Sequence, residues 1–243
     1  MNLEKKTAIV TGGAVRIGQA IAIALADAGI NIVLHYGHSE TAAQETAAVI
    51  NNLGGHITIV QADLQKPVAA AKSIMEHALN HFGAVDILIN NAAIFEKGNL
   101  RTTSEEEWDR YFAINLKAPV FLSQAFAEAL KKEQVAHIIN IVDWRATKPD
   151  VDYLAYSLTK SGLVTMTQTL AKELAPYVQV NAIAPGAILP PPGNEDAYSQ
   201  RISQQIPLQR CGNRDEITDG VLYLLRSNFV TGEVLYITGG EQL

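Results

Sequence analysis

The sequence predicts an α/β fold, one doubly wound parallel sheet with helices on both faces. Three observations predict it. Six short runs rich in Ile and Val recur without strict apolar–polar alternation, as strands buried on both faces do. Longer amphipathic runs stand between them and read as crossover helices. A glycine-rich turn directly follows the first apolar run, where the first strand of such a sheet passes into its first helix.

In chain order, TAIVTGG is the first strand with its turn, and IGQAIAIALADAG is a helix stopped by Gly29. INIVLHY is the second strand. SETAAQETAAVINNLG is a helix ending at Gly54, and HITIVQA is the third strand. Gly83 stops the next helix before VDILINN. Ser104 followed by Glu105, Glu106 and Glu107 reads as a helix cap with an acidic, solvated first turn. PVFLSQAFAEALKK is a helix, HIINIVD a strand, and the segment with Tyr156 and Lys160 a helix before the strand VQVNAIAP. Residues 187–206 are polar and carry Pro190-Pro191-Pro192 between two element-like regions. Uniform composition without a Ser/Gly linker makes 1–243 a single domain.

Hydrophobic residues make up 48%, enough for a sizeable core, yet no run of about 18 apolar residues suggests a membrane span. The start, MNLEKKTAIVTGG, lacks the pattern of a signal peptide. A net charge of −6 with no basic block argues against a nucleic-acid surface. The single cysteine, Cys211, excludes an internal disulfide and fits a reducing cytoplasm, so a cytoplasmic protein is expected. Cys211 has no evident histidine partner and reads as a structural or exposed thiol. His77 and His81 share a helix face, but Ala78 stands where a zinc-protease motif needs glutamate. They read as a surface pair, and no metal is expected.

The turn Thr11-Gly12-Gly13-Ala14-Val15-Arg16-Ile17-Gly18 is the candidate cofactor site. Its glycines let the backbone approach a pyrophosphate, and the helix that follows offers free N–H groups. Gly12, Arg16, Ile17 and Gly18 are its candidate residues. Arg16 occupies a position where many such turns have glycine. It is either a solvated arginine or a bridge between a cofactor phosphate and a planar, electron-rich ligand. The second strand ends in His35-Tyr36-Gly37-His38-Ser39, and the acidic residue that would hold a ribose 2′-hydroxyl is absent until Glu40. His35, His38 and Ser39 are candidates here. His38 and Ser39 can hydrogen-bond a 2′-phosphate, which favours NADPH over NADH; Ser39 also reads as the cap of the next helix. Asp63 is placed to accept from an adenine amine, and Asn91 with Ala92 to lie beside the adenosine ribose.

Tyr156 and Lys160 stand one helical turn apart and project from the same helix face. A phenol beside an ammonium suits the receiving end of a hydride reduction. The ammonium is expected to stabilise the phenolate and lower the tyrosine pKa towards working pH.

The glycine turn, NNAA, the asparagine of FAINL and YSLTK, in that order, resemble the short-chain dehydrogenase/reductase family over essentially the whole chain. Within it the chain looks most like the pteridine and dihydromonapterin reductases. That likeness rests on TGGAVRIG, HYGHS, NNAAIF with Phe95, INLKAPVFL, Asp143 where serine is usual, and the ending VTGEVLYITGGEQL. The resemblance implies a Rossmann-type sheet with Tyr156 supplying the proton and Lys160 holding the nicotinamide ribose. It implies Asp143 paired with Tyr156 in proton delivery, and Asn115 seating Lys160 and its water. Arg16 and Phe95 would form a pterin slot, Pro185 and Gly186 would lie close to the nicotinamide, and residues 187–206 would form a lid. It also implies a homotetramer joined through the Tyr156 helix and the one before it, which apolar faces within 116–130 and 163–174 permit. Ala93 departs from the pattern, standing where pteridine reductases often have a serine. Trp144 either walls the pocket or packs within its loop, and Tyr153 lies one turn before Tyr156.

An aspartate at 143 suits a pterin. Reducing a ketone gathers negative charge on oxygen, which an adjacent carboxylate repels. Reducing a pterin C=N bond places a proton on a ring nitrogen, which a carboxyl group can relay. The expected activity is NADPH-dependent reduction of dihydropterins, with oxidised pterins or dihydrofolate as further substrates. The competing readings are a carbonyl reductase, for example of 3-oxoacyl thioesters, and an NADPH-binding redox sensor without turnover. The Asn115, Tyr156 and Lys160 set weighs against the sensor, which needs no proton relay.

Overall fold

A computed structural model describes residues 3–190 and 195–243. Pro191 and Pro192 of the proline-bearing segment lie outside the described residues. Among the described residues seven strands form one sheet: β1 (Thr7–Val10), β2 (Asn31–Tyr36), β3 (Ile57–Gln61), β4 (Ile87–Asn90), β5 (Ala136–Ile141), β6 (Val178–Pro185) and β7 (Val234–Ile237). All pairings are parallel, in the order β3-β2-β1-β4-β5-β6-β7. The chain steps outward from β1 to β3, then returns to lay β4 on the other side of β1. A crevice therefore opens above the C-terminal ends of β1 and β4.

The missing alternation in the strand sequences has a simple cause. Ala8 and Val10 of β1, with Ile87 and Ile89 of β4, pack among residues of α1 (Arg16–Asp27), α2 (Glu40–Asn52) and α8 (Arg214–Arg226). Ile9 and Leu88, on the opposite face, pack among residues of α3 (Pro67–Phe82) and α5 (Ala118–Ala129). Both parities are apolar because both faces are covered, and each fully buried Ile or Leu stabilises the fold by about 1.5–3 kcal/mol. β7 extends the six strands read from sequence to seven. Its four residues, VLYI, are only half-buried at the sheet edge and too few to stand out as an apolar run.

Gly29 and Gly54 follow α1 and α2 as expected, and Gly83 is the left-handed C-cap of α3 at φ 76. Ser104 closes a reciprocal capping box with Glu107 at the start of α4 (Glu105–Phe112). Ser39 occupies the N-cap of α2 without a side-chain cap hydrogen bond, so the expected cap is not made. α4 runs into a π-helical turn, Ala113–Lys117, before α5; such turns add a residue per turn and often mark functional positions. α6 (Leu154–Glu173) carries Tyr156 and Lys160, and α7 (Glu195–Ser203) lies within the proline-bearing segment. His77 bonds Thr58 Oγ1 through Nε2 at 2.8 Å and stacks on His81. Among the described residues no group of three or more metal-ligating side chains is present, and no helix is long and apolar enough to cross a membrane.

Candidate active site

Above the C-terminal strand ends lies a cleft of about 930 Å³. Every candidate residue from Gly12 to Gly186 lines it except Ser39 and Asn115. Ser39 is exposed one position beyond His38, and Asn115 is buried behind the cleft wall.

At one end, the protein binds its own turn tightly. Thr11 Oγ1 donates to Ile89 O (3.2 Å) and accepts from the N–H groups of Asn91 (2.9 Å) and Ala92 (3.1 Å). Asn91 Nδ2 donates to Thr11 O (2.8 Å) and Gly12 O (3.1 Å). Gly12 N–H donates to His35 Nδ1 (3.2 Å), which assigns the ring proton to Nε2, and Nε2 donates to Ala62 O (3.0 Å). Burial pushes the His35 pKa below its ordinary value, against the smaller opposing effect of Ala62 O. His35 thus lines the cleft with both ring nitrogens engaged by the protein itself.

Gly12 sits at φ 60, and a Cβ there would stand 3.0 Å from Ala92 Cα. A Cβ at Gly18 would stand 2.2 Å from Gly12 O, so the helix can approach the turn only with glycine there. Arg16 has φ 56, the left-handed conformation that explains why glycine is usual at this position; a non-glycine residue holds it under strain. Its Nη2 donates to Leu189 O at 3.3 Å and so reaches the start of the 187–206 segment. Beside His38, a Cβ on Gly37 would meet nothing within 4 Å, leaving open space at the end of β2. Asp63 also lines the cleft, with Oδ1 accepting from Gln65 N–H (2.9 Å). A glycine turn that a Cβ would obstruct, with open space beside His38, fits a dinucleotide.

At the other end side chains dominate. Asp143 caps the short 3-10 turn Trp144–Ala146: Oδ1 accepts from Arg145 N–H at 2.8 Å. Tyr156 OH donates to Asp143 Oδ2 at 2.9 Å. Lys160 Nζ donates to Ile141 O at 2.7 Å and lies 5.7 Å from the centre of the Tyr156 ring. The Asn115 amide grips the backbone just before Phe95, accepting from Ile94 N–H (2.9 Å) and donating to Ile94 O (3.0 Å). It also reaches Thr159 Oγ1, next to Lys160, at 3.5 Å. Phe95 is 51% exposed, stacks on Tyr153 with centroids 4.7 Å apart and meets Tyr156 edge-on. Tyr153 therefore backs the Phe95 ring.

The electrostatics correct one expectation. Burial, then the charge of Asp143 and its hydrogen bond, push the Tyr156 phenol well above the ordinary tyrosine value, with Arg145 partly opposing them. The expected lowering by Lys160 is not found. Burial lowers the Lys160 pKa to about 8, against the attraction of Asp143.

Three contributors to the site carry no functional signal in the sequence. Thr11 reads only as part of the glycine turn. Glu241 accepts from Ala187 N–H through Oε2 (2.8 Å), and burial raises its pKa; it arrives from the far end of the chain, where no local pattern announces it. Arg145 lies in the cleft wall, two residues after Asp143. The Asp-to-i+2 spacing of an Asx turn was its only local signal.

A family model described as short chain dehydrogenase matches residues 6–201. A 3-oxoacyl-[acyl-carrier-protein] reductase FabG of Staphylococcus epidermidis is 31% identical over 240 residues, covering 97% of this chain and 98% of the relative. An uncharacterized oxidoreductase of Thermotoga maritima is 30% identical over 252 residues, covering 99% of each. The crystal structure of FolM alternative dihydrofolate reductase 1 from Brucella canis, complexed with NADP, matches with a TM-score of 0.93 at 34% identity. It covers 99% of this chain and 95% of that one.

Proposed function

The chain belongs to the short-chain dehydrogenase family, and from that premise we propose that it is an NADPH-dependent reductase of pterins, acting on dihydropterins. The observation that carries this reading is the 2.9 Å hydrogen bond from Tyr156 OH to Asp143 Oδ2. A carboxylate in that position opposes the oxyanion of a reduced ketone, whereas a pterin ring nitrogen takes up a proton and builds no such charge.

The glycine turn and the N-terminus of α1 would hold the cofactor pyrophosphate, His38 a 2′-phosphate, and Lys160 the nicotinamide ribose. NADPH, when bound, supplies the hydride. Tyr156 hands its proton to the ring nitrogen beside the reduced carbon. A bare phenolate next to an ionised Asp143 is disfavoured by burial and by like charge. The two groups therefore act as one coupled pair: as the Tyr156 proton leaves for the ring nitrogen, a replacement proton drawn from solvent reaches the phenol oxygen by way of Asp143, whose side chain is 15% exposed. Phe95, already backed by Tyr153, offers a face on which a flat heterocycle gains about 1 kcal/mol beyond its burial. Ala93 leaves one polar contact fewer than pteridine reductases often have. The similarity to a solved alternative dihydrofolate reductase supports the same chemistry. With it goes a homotetramer joined through α5 and α6, for which exposed Val120 and Leu158 supply apolar contact.

A second reading, 3-oxoacyl-thioester reduction, draws support from the acyl-carrier-protein reductase relative. NADPH oxidation followed in parallel with 7,8-dihydrobiopterin, dihydromonapterin, dihydrofolate and acetoacetyl thioester separates the two. The pterin reading expects turnover of a dihydropterin. Turnover of the thioester alone would replace it with the second.

A further inference from the structure

Arg145 belongs to no motif, yet it touches both working parts of the substrate end. Its backbone N–H donates to Asp143 Oδ1 at 2.8 Å, and its guanidinium Nη1 lies 3.4 Å from the same oxygen. Asp143 Oδ1 is thereby occupied within the turn, and Oδ2 is the oxygen that meets Tyr156 OH. The guanidinium is itself held among rings, 4.5 Å from the Trp144 ring, 5.4 Å from the centre of Tyr153 and 5.9 Å from that of Phe95. Phe95 and Tyr153 stack on each other, and Phe95 meets the Tyr156 ring edge-on. One side chain thus joins the carboxylate beside the proton donor to the aromatic wall of the slot. The charge of Arg145 also acts on Tyr156 of α6, Tyr198 of α7 and Glu241 of the C-terminal tail, favouring the ionised form of each.

We propose that Arg145 is a positioning residue of the reaction. It fixes the Asp143 carboxylate so that Oδ2 faces Tyr156, and it ties that alignment to the Phe95–Tyr153 stack against which the substrate binds. A planar, permanently charged fork can do both at once; a flexible ammonium cannot stack in the same way. The inference rests on the reading of this cleft as a reductase site, but not on a pterin being the substrate.

A double-mutant cycle tests it. Arg145→Met keeps most of the stem and removes the fork, Arg145→Lys keeps the charge, and Asp143→Asn keeps an acceptor oxygen. Steady-state kcat and KM are measured with dihydrobiopterin and with acetoacetyl thioester, alongside NADPH affinity and thermal stability. The expected result is that Arg145→Met lowers kcat about tenfold while the Kd for NADPH stays within about twofold. In the Asp143→Asn background the same change lowers kcat by less than about twofold, because the carboxylate it would align is gone. KM rises about threefold in both backgrounds through the loosened slot, and Arg145→Lys restores part of kcat. An equal tenfold loss with or without the Asp143 carboxylate would overturn the proposal. So would a loss of kcat that moves in step with NADPH affinity and melting temperature. Turnover of the thioester alone would remove the pterin reading, and the cycle run on that substrate would still decide the role of Arg145.

Discussion

At the cofactor end of the cleft the chain presents mostly backbone, held by bonds the protein makes to itself; at the substrate end it presents side chains gathered from four segments. Thr11, Asn91 and His35 direct their hydrogen bonds inward and so fix the glycine turn before any ligand arrives. Phe95, Asp143 with Arg145, Tyr153 with Tyr156, and Glu241 come from the ends of β4 and β5, the start of α6 and the C-terminal tail. A turn made of backbone serves any dinucleotide, so it can be shared across a family. On the proposed reading, specificity falls to the side chains opposite, where Asp143 in place of serine would change which charge the site can bear.

Substitutions at the two ends should therefore separate chemistry from binding. The largest effect belongs to Tyr156→Phe, which removes the proposed proton donor and should lower kcat by about 10²–10⁴-fold while NADPH affinity, read by fluorescence titration, stays within about twofold. Gly18→Ala should do the reverse. Its Cβ would stand 2.2 Å from Gly12 O and 2.5 Å from Asn91 Nδ2, so the turn must shift. NADPH affinity should fall about tenfold or more, with kcat at saturating cofactor within about threefold. Equal effects of these two changes on kcat and on NADPH affinity would erase the distinction between the ends.

Phe95→Ala removes the exposed stacking face and should raise the substrate KM about fivefold, the equivalent of about 1 kcal/mol, with little change in kcat. The smallest effect concerns pH. His35 is held neutral in the fold, with its pKa lowered by burial from 6.5, so below pH 6.5 the unfolded chain binds more protons than the folded one. The stability that depends on neutral His35 is fully present above pH 6.5 and is lost as the pH falls below it. Melting temperature should drop between pH 7 and pH 5 by about a few degrees more than in His35→Gln. Parallel melting profiles for the two proteins would show that His35 does not fasten the turn.

The same contrast governs what could be read from sequence. The sheet was legible because burial on both faces leaves unbroken Ile and Val runs, and the edge strand β7 escaped because half-buried VLYI carries no such signal. The cofactor turn is a contiguous string whose glycines answer to local sterics, and its Gly12, Arg16, Ile17 and Gly18 all line the cleft. Tyr156 and Lys160 were legible through one helical turn of spacing. Glu241 is not, because its partner Ala187 lies 54 residues away along the chain; Arg145 stands two residues from Asp143, but the string does not show that its guanidinium also meets Tyr153 and Phe95. The raised Tyr156 pKa is not legible in the sequence for a related reason: spacing reveals Lys160 but neither the depth of burial nor the Asp143 oxygen 2.9 Å from the phenol.

On the proposed reading, Asp143 selects a substrate that takes its proton on nitrogen. The native protein and Asp143→Ser, compared on dihydrobiopterin and on acetoacetyl thioester with NADPH affinity as the control, put that selection to the test. Dihydropterin turnover is expected to fall about tenfold or more, thioester turnover to hold or rise, and the Kd for NADPH to change by less than about twofold. Undiminished dihydropterin turnover in Asp143→Ser would contradict it.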